Sequence, residues 1–154
     1  MVTLRLATRE DLNRIWKMQV EAFAGLLEKY RDYELSPAAE GVDKIEARFA
    51  QPGSAYYFIE AEDADVGVIR IVDRGDGARK RISPLWIMPP YRGRGYAQEA
   101  MLAAEAMYGS HHWELDTILQ EPGNLHLYEK MGYHQTGKTA RINERMDIVF
   151  YEKD

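Results

Sequence analysis

Residues 86–97 read Trp-Ile-Met-Pro-Pro-Tyr-Arg-Gly-Arg-Gly-Tyr-Ala, and this segment carries the most informative pattern of the chain. An apolar run typical of a strand passes through two prolines into a turn rich in glycine and arginine, where a helical pattern begins. Gly93 and Gly95 let the backbone curve closely around a ligand oxygen, and consecutive N–H groups at a helix start attract anions. The segment therefore predicts a cradle for a diphosphate group. The alternative is an ordinary turn whose arginines are solvated.

Strand and helix patterns alternate on both sides of this segment. Period-two or β-branched runs predict strands over residues 2–6, 55–60, 66–72, 79–88, 113–119, 133–139 and 145–151. Apolar residues at helical spacing predict helices over residues 9–30, 42–50, 96–108 and 124–131, with Thr8 and Asn124 as N-caps. This order predicts a mixed α/β (α+β) fold, with a central twisted, largely antiparallel sheet of about seven strands flanked by about four helices. Pro84 falls inside the fourth strand, so we expect an irregularity or a free strand edge there.

Length and composition limit the classes of protein to which the chain can belong. With 154 residues it fits one domain, and we expect a single domain over residues 1–154. The absence of cysteine excludes disulfides and thiolate nucleophiles, and His111 and His112 have no suitably spaced third ligand, so no metal site is predicted. A net charge of −5 without a basic tail argues against nucleic-acid binding. Because there is neither an apolar run of ~18 residues nor an apolar signal core, we expect a cytoplasmic protein without a membrane span.

Two motifs resemble those of one enzyme family. Residues 92–97, Arg-Gly-Arg-Gly-Tyr-Ala, match the Gln/Arg-x-x-Gly-x-Gly/Ala signature of the GNAT superfamily of N-acetyltransferases, and residues 85–89 look like that family's fourth strand. Downstream, residues 124–133, Asn-Leu-His-Leu-Tyr-Glu-Lys-Met-Gly-Tyr, resemble its Asn…Leu-Tyr-Glu-Lys-Leu-Gly-Phe/Tyr block. The order of predicted elements is similar to the family's acyl-CoA N-acyltransferase fold over nearly the whole chain.

The resemblance implies that acetyl-coenzyme A (acetyl-CoA) is the co-substrate. The N–H groups of residues 92–97 would hold its diphosphate, and the edge of the fourth strand would pair with the pantetheine amides like an added strand. A backbone N–H near Met88 would polarise the thioester carbonyl, in a gap where the strands at 79–88 and 113–119 splay apart. Asn124 would contact the pantetheine arm, cap its helix, or do both. The cofactor-binding residues implied in this way are Ile87, Met88, Arg92, Gly93, Arg94, Gly95, Tyr96, Ala97 and Asn124.

The resemblance also implies catalytic roles. Tyr128 occupies the position where the family usually carries a tyrosine that protonates the departing thiolate; the alternative is a core tyrosine that packs on the sheet. Many members use a glutamate of the fourth strand to accept the proton of the amine, but residues 79–84 contain no carboxylate. The general base is therefore unassigned, with Glu121 as first candidate, Glu60 and Glu34 behind it, and water as a further option.

The sequence contains fewer indications about the acceptor pocket than about the cofactor site. The first helix and the loop after it line the acceptor pocket in the family, and here they carry Phe23, Tyr30, Asp32, Tyr33 and Glu34, which suit a cationic amine. We expect an N-acetyltransferase that acts on a primary amine of a small molecule. The alternatives are a protein N-terminus or lysine as acceptor, a catalytically idle acyl-CoA sensor or subunit of the same fold, and a nucleotide-binding regulator. Other acyl donors stay open, and the resemblance implies that two copies can associate as a homodimer.

Overall fold

The chain forms one seven-stranded sheet with helices on both faces. The structure is a computed structural model that describes residues 1–154. The strands are β1 (Thr3–Leu6), β2 (Ser54–Ala61), β3 (Ala64–Val72), β4 (Lys80–Ile87), β5 (Trp113–Ile118), β6 (His134–Asn143) and β7 (Met146–Lys153). The helices are α1 (Leu12–Tyr30), α2 (Val42–Ala50), α3 (Tyr96–Tyr108) and α4 (Pro122–Lys130). The predicted mixed α/β fold is therefore confirmed, with a largely antiparallel sheet and four helices.

The strand order creates an opening in the middle of the sheet. The order is β1-β2-β3-β4-β5-β7-β6, and every neighbouring pair is antiparallel except β4 and β5, which are parallel. These two strands are joined only at their starts, where Lys80 pairs with Trp113 and Arg81 with Glu114. From Ile82 onward they separate, so the edge of β4 that faces β5 has no strand partner.

The other edge of β4 contains the irregularity expected at Pro84. Ile69 pairs with Leu85 but Ile71 pairs with Ile82, so β4 has one extra residue between these pairs. Ser83 and Pro84 occupy this position, in agreement with the inability of proline to donate to a ladder. The guanidinium of Arg70 donates to the Ser83 carbonyl at 2.8 Å and satisfies a group that the ladder leaves free.

The two faces of the sheet bury separate apolar clusters. On one face, α3 and α4 cover a cluster that contains the fully buried Met101 and Trp113. On the other face, α1 and α2 cover a cluster in which Ile15, Ile45 and Phe58 are fully buried. Both helix layers are thereby fixed against the strands on either side of the central opening. None of the helices has the length and apolarity that crossing a membrane requires.

The helix starts show one correct prediction and one error. The Thr8 N–H donates to the Asp11 carboxylate at 2.8 Å and the Asp11 N–H to the Thr8 carbonyl at 2.9 Å, and this reciprocal cap starts a 3₁₀ turn that leads into α1. The prediction that Asn124 caps its helix is wrong. Helix α4 begins at Pro122, whose fixed φ suits the first helical position, so Asn124 lies inside the first turn.

The packing of α3 on the sheet gives a stability prediction. Met101→Ala should lower the free energy of unfolding by about 2–5 kcal/mol, because the fully buried side chain leaves a cavity. Its neighbour Leu102 is 51% exposed, so Leu102→Ala should change that free energy by about 0.5 kcal/mol or less. Urea denaturation of both variants measures the difference. Equal losses in the two variants would show that α3 does not pack through this face.

Candidate active site

A run of backbone N–H groups between β4 and α3 has no hydrogen-bond partner in the protein. After a 3₁₀ turn (Pro89–Tyr91), Gly93 and Gly95 both adopt a φ of +79°, a conformation that favours glycine. The N–H groups of residues 93–98 find no acceptor, and the first bond of α3 runs from the Glu99 N–H to the Gly95 carbonyl at 3.1 Å. A Cβ at either glycine would meet no protein atom within 4 Å, so the space beside the turn is open. This run, the cradle (residues 93–98), has the geometry of an anion site at a helix start.

The two arginines of the cradle segment have different surroundings. Arg94 forms an ion pair with Glu62 at 2.6 Å, and the Tyr96 hydroxyl donates to the same carboxylate. Hydrogen bonds from Tyr96 and Arg94 hold the pKa of Glu62 below its ordinary value. Arg92 has no carboxylate partner; it donates to the Ile87 and Ala22 carbonyls, each at 2.8 Å, and so connects β4 with α1. Both arginines are among the predicted cofactor-binding residues, but only Arg92 keeps a positive charge without a carboxylate partner.

The edge of β4 corrects one predicted role. The Met88 N–H donates to the Val66 carbonyl at 2.8 Å, so it points toward β3 and is not available to a ligand. Because backbone groups alternate along a strand, those of Leu85 and Ile87 point the opposite way, into the gap beside β5. The Ile87 carbonyl, which Arg92 contacts, confirms this direction. The N–H groups that face the gap thus belong to Leu85 and Ile87.

Two cavities meet in this gap. The cradle cavity, of about 590 Å³, lies between α1, the end of β4, the cradle and α4. The loop cavity, of about 460 Å³, lies between α1, the loop at 32–40, β4, β5, α4 and the β6–β7 hairpin. The residues that line both are Phe23, Leu26, Leu85, Asn124 and Tyr128. The gap between β4 and β5 therefore joins the space beside the cradle to a second cavity.

Most of the predicted cofactor-binding residues line the cradle cavity, but two of them line neither cavity. Those that line the cradle cavity are Ile87, Arg92, Gly93, Gly95, Tyr96, Ala97 and Asn124. Met88 and Arg94 line neither cavity. Met88 packs into the cluster under α1 and α2 instead. Asn124 donates from its side-chain amide to the Thr117 hydroxyl at 3.2 Å, which fixes α4 to β5 at the junction.

Tyr128 lies at the boundary between the cavities. It is 9% exposed, its ring packs against Tyr133 and Tyr151, and its hydroxyl forms no hydrogen bond within the protein. Burial, together with the nearby Asp116 carboxylate, raises the pKa of Tyr128 to about 12. Both predicted roles are compatible with this position, because the ring belongs to the core while the residue borders both cavities. The phenol is protonated at neutral pH.

The three candidate bases are not equally placed. Glu121 lines the cradle cavity, where Lys29 donates to it at 2.6 Å and the Tyr30 hydroxyl also donates. Burial alone would raise the pKa of Glu121, but these two hydrogen bonds outweigh burial and lower it, which makes the carboxylate a weak base. Glu60 and Glu34 line neither cavity.

The loop cavity contains carboxylates that sequence reasoning missed. Of the residues predicted around the acceptor, it brings together Phe23, Tyr30 and Asp32, whereas Tyr33 and Glu34 are exposed outside it. It adds Glu40 and Asp116 to its lining. Alternation along β5 was a usable signal for Asp116, because Trp113, Leu115 and Thr117 are buried on one face and Asp116 lies on the other. Nothing local in the sequence marks Glu40.

The comparison with protein families identifies the class to which this site belongs. The model of the acetyltransferase (GNAT) family matches residues 12–133, which include the opening between β4 and β5, the cradle and Tyr128. The chain therefore belongs to the GNAT family of acetyltransferases. A comparison with curated protein sequences gives no significant match.

Solved structures share the fold at low sequence identity. The spermidine N-acetyltransferase of Vibrio cholerae, solved with coenzyme A and spermine, superposes with a TM-score of 0.74 at 21% identity, over 97% of this chain and 93% of that one. The PaiA N-acetyltransferase of Thermoplasma acidophilum, solved with coenzyme A, gives 0.67 at 16% identity, over 100% and 99%. The ribosomal-protein-alanine N-acetyltransferase of Escherichia coli gives 0.72 at 12% identity, over 98% and 92%. Because these enzymes differ in acceptor, the likeness establishes the fold and leaves the acceptor open.

The environment of Tyr128 gives a spectroscopic prediction. Its phenol should ionise with a pKa of about 12, against ~10 for an exposed tyrosine. Since the native state holds this proton more tightly than the unfolded chain, the associated stability is present below pH ~10 and is lost as the pH rises toward 12. The difference in ultraviolet absorbance between wild type and Tyr128→Phe during alkaline titration, with circular dichroism to confirm folding, measures the pKa. A midpoint near that of an exposed tyrosine would mean that the phenol is not buried as described.

Proposed function

We propose that this chain transfers the acetyl group of acetyl-CoA to a primary amine of a small molecule. The observation that carries the proposal is the meeting of two cavities at Tyr128, with an anion cradle on one side and a carboxylate-lined space on the other. Two reactants that enter from opposite faces of the sheet opening would meet at this junction. Holding them there converts a bimolecular step into an effectively unimolecular one.

The donor occupies the cradle cavity in this proposal. The N–H groups of the cradle hold the coenzyme A diphosphate, and Arg92 supplies the uncompensated positive charge beside them. The pantetheine arm runs along the free edge of β4, where the backbone groups of Leu85 and Ile87 face it. The Ile87 N–H polarises the thioester carbonyl, which is the role that the family resemblance assigned to an N–H near Met88. Coenzyme A in two of the similar structures supports a donor of this kind.

Tyr128 is the proposed general acid. The amine nitrogen attacks the thioester carbonyl from the loop cavity, a C–N bond forms, and the C–S bond then breaks. Before the attack, the acceptor ammonium releases one proton to solvent. Tyr128 then donates its proton to the departing sulfur and regains the second proton that the nitrogen loses, so one proton moves from nitrogen to sulfur and one goes to solvent. Because Glu121 is held by Lys29 and Tyr30, a water molecule in the loop cavity is the simplest carrier of the amine proton.

The size of the loop cavity favours a small acceptor. Its volume of about 460 Å³ lies in the range of ~300–1,000 Å³ typical of small-molecule sites. Its walls come from the loop after α1 and from the β6–β7 hairpin, and these enclose it on several sides. The alternative of an idle acyl-CoA sensor predicts binding of acetyl-CoA without turnover for any amine. An assay of coenzyme A release over a panel of primary amines separates the two.

Substitution in the cradle tests the donor site. Gly95→Val should weaken coenzyme A binding by about tenfold or more, because a β-branched residue cannot keep the φ that aims the N–H groups and its side chain would enter the ligand space. Gly75→Val is the matched control, since Gly75 has a φ of +69°, has the same open surroundings and lies in the β3–β4 turn at the opposite end of β4. Calorimetric titration of both variants with coenzyme A gives the affinities. Equal affinities in both variants would refute the assignment of the cradle.

Removal of one hydroxyl tests the proposed acid. Tyr128→Phe should lower kcat by about 10²- to 10⁴-fold, the usual contribution of general acid–base catalysis, with coenzyme A affinity unchanged. Tyr133→Phe is the control, because that neighbouring tyrosine has a hydroxyl without a partner that is buried away from both cavities. Steady-state rates of acetyl transfer to the best amine of the panel give kcat for wild type and both variants. The role of Tyr128 as an acid is refuted if both variants keep wild-type kcat.

A further inference from the structure

One carboxylate of the loop cavity has no cation beside it. Asp32 follows the end of α1, is 7% exposed, and accepts a hydrogen bond at Oδ1 from the Leu35 N–H at 2.9 Å. No lysine, arginine or histidine lies within ion-pair distance of it. The other two carboxylates of this cavity are neutralised: Glu40 accepts two hydrogen bonds from Arg48, and Asp116 accepts one from Arg81.

A buried carboxylate without a cation is unfavourable for a protein to maintain. Moving a charge out of water costs several kcal/mol unless a partner charge or hydrogen bonds offset it. One N–H donor at Oδ1 offsets only part of that cost for Asp32, while Oδ2 has no partner in the protein and is not fully enclosed by it. A positively charged group of a ligand in the cavity would supply the missing interaction.

The position of Asp32 separates it from the reacting nitrogen. The junction where transfer takes place is lined by the residues common to both cavities, which include Leu85, Asn124 and Tyr128. Asp32 lines only the loop cavity. A cation held by Asp32 therefore lies in the loop cavity and outside the shared junction, so the attacking amine is a second group of the acceptor.

We propose that the acceptor is a small amine with a second cationic group, such as a diamine, and that Asp32 binds this second group as a specificity-determining residue. This inference rests on the proposed function, because it assigns the far end of the acceptor in the same site. The loop cavity suits an aliphatic spacer, since much of its lining is apolar, including Leu35, Ile82, Ile118, Ile142, Ile148 and Phe150. The bound ammonium has an ordinary pKa of ~10.4 and stays charged at neutral pH.

Matched ligands test the proposal without any mutation. Cadaverine and n-hexylamine have the same chain length and differ in having an ammonium or a methyl group at the far end; putrescine and n-pentylamine form a shorter pair. Calorimetric titration of the wild-type protein saturated with coenzyme A, which permits binding but no transfer, should give about 10- to 100-fold tighter binding of the diamine in at least one pair, the range for one charge-assisted hydrogen bond. Equal affinities within both pairs would overturn the proposal.

The variant Asp32→Asn tests whether Asp32 binds the second cationic group. Asp32→Asn keeps an oxygen that can accept from the Leu35 N–H but removes the charge, so it should weaken diamine binding about 10- to 100-fold and leave alkylamine binding unchanged. Glu34→Gln is the matched control, because Glu34 is an exposed carboxylate of the same loop that lines neither cavity. If Asp32→Asn and Glu34→Gln behave alike, Asp32 does not hold the second cation.

Turnover distinguishes this inference from the function on which it rests. Diamine-selective binding that Asp32→Asn abolishes supports the role of Asp32 even if no amine is acetylated, in which case the proposed transfer reaction fails. Acetylation of diamines and alkylamines with equal kcat/KM, unaffected by Asp32→Asn, supports the transfer reaction and overturns the role of Asp32.

Discussion

The separation of β4 from β5 is the constraint on which the site depends. Two residue pairs join the strands at their starts, and beyond them the edge of β4 is left inside the molecule between α1 and α4. Backbone polar groups away from water need partners, and on this edge the protein supplies only Arg92, which contacts the Ile87 carbonyl. A ligand with amide groups can supply the others. The opening thus creates both the passage between the two cavities and the demand for a hydrogen-bonding molecule within it.

The charges around this opening are distributed unevenly, and their distribution gives each side its character. Glu62 neutralises the side chain of Arg94, which lines neither cavity, while Arg92 keeps an uncompensated positive charge beside the cradle. On the other side of the junction, arginines neutralise Glu40 and Asp116 and leave Asp32 as the carboxylate without a cation. The cradle side is therefore suited to an anion and the far end of the loop cavity to a cation. Tyr128, uncharged at neutral pH, stands between them.

Local chemistry explains which parts of the fold and site could be predicted from the sequence. Gly93 and Gly95 were informative because a positive φ and a close approach to a ligand are requirements of a few consecutive residues. The predicted sheet and helices follow from periodicity in the same way, and the irregularity at Pro84 follows from the missing N–H. The splaying of β4 from β5 followed only from the family resemblance, since strand separation depends on contacts between distant segments.

The errors arose where a second segment decides the outcome. A backbone N–H near Met88 was expected to polarise the thioester carbonyl, but the pairing of β3 with β4 gives the Met88 N–H to Val66 and turns that of Ile87 to the gap; the sequence of β4 alone does not contain that register. The pairing of Arg94 with Glu62 and the entry of Glu40 into the loop cavity likewise depend on residues far apart in the chain.

Coenzyme A should bind along the cradle and the free edge of β4. Amide nuclear magnetic resonance of the isotopically labelled protein during titration with coenzyme A tests this binding mode, because every N–H group reports separately. The largest shift changes should fall on residues 93–98 and on Leu85 and Ile87, with little change at Met88, whose N–H donates to the Val66 carbonyl. Largest changes on other elements, or no change at saturating coenzyme A, would show that coenzyme A does not bind there.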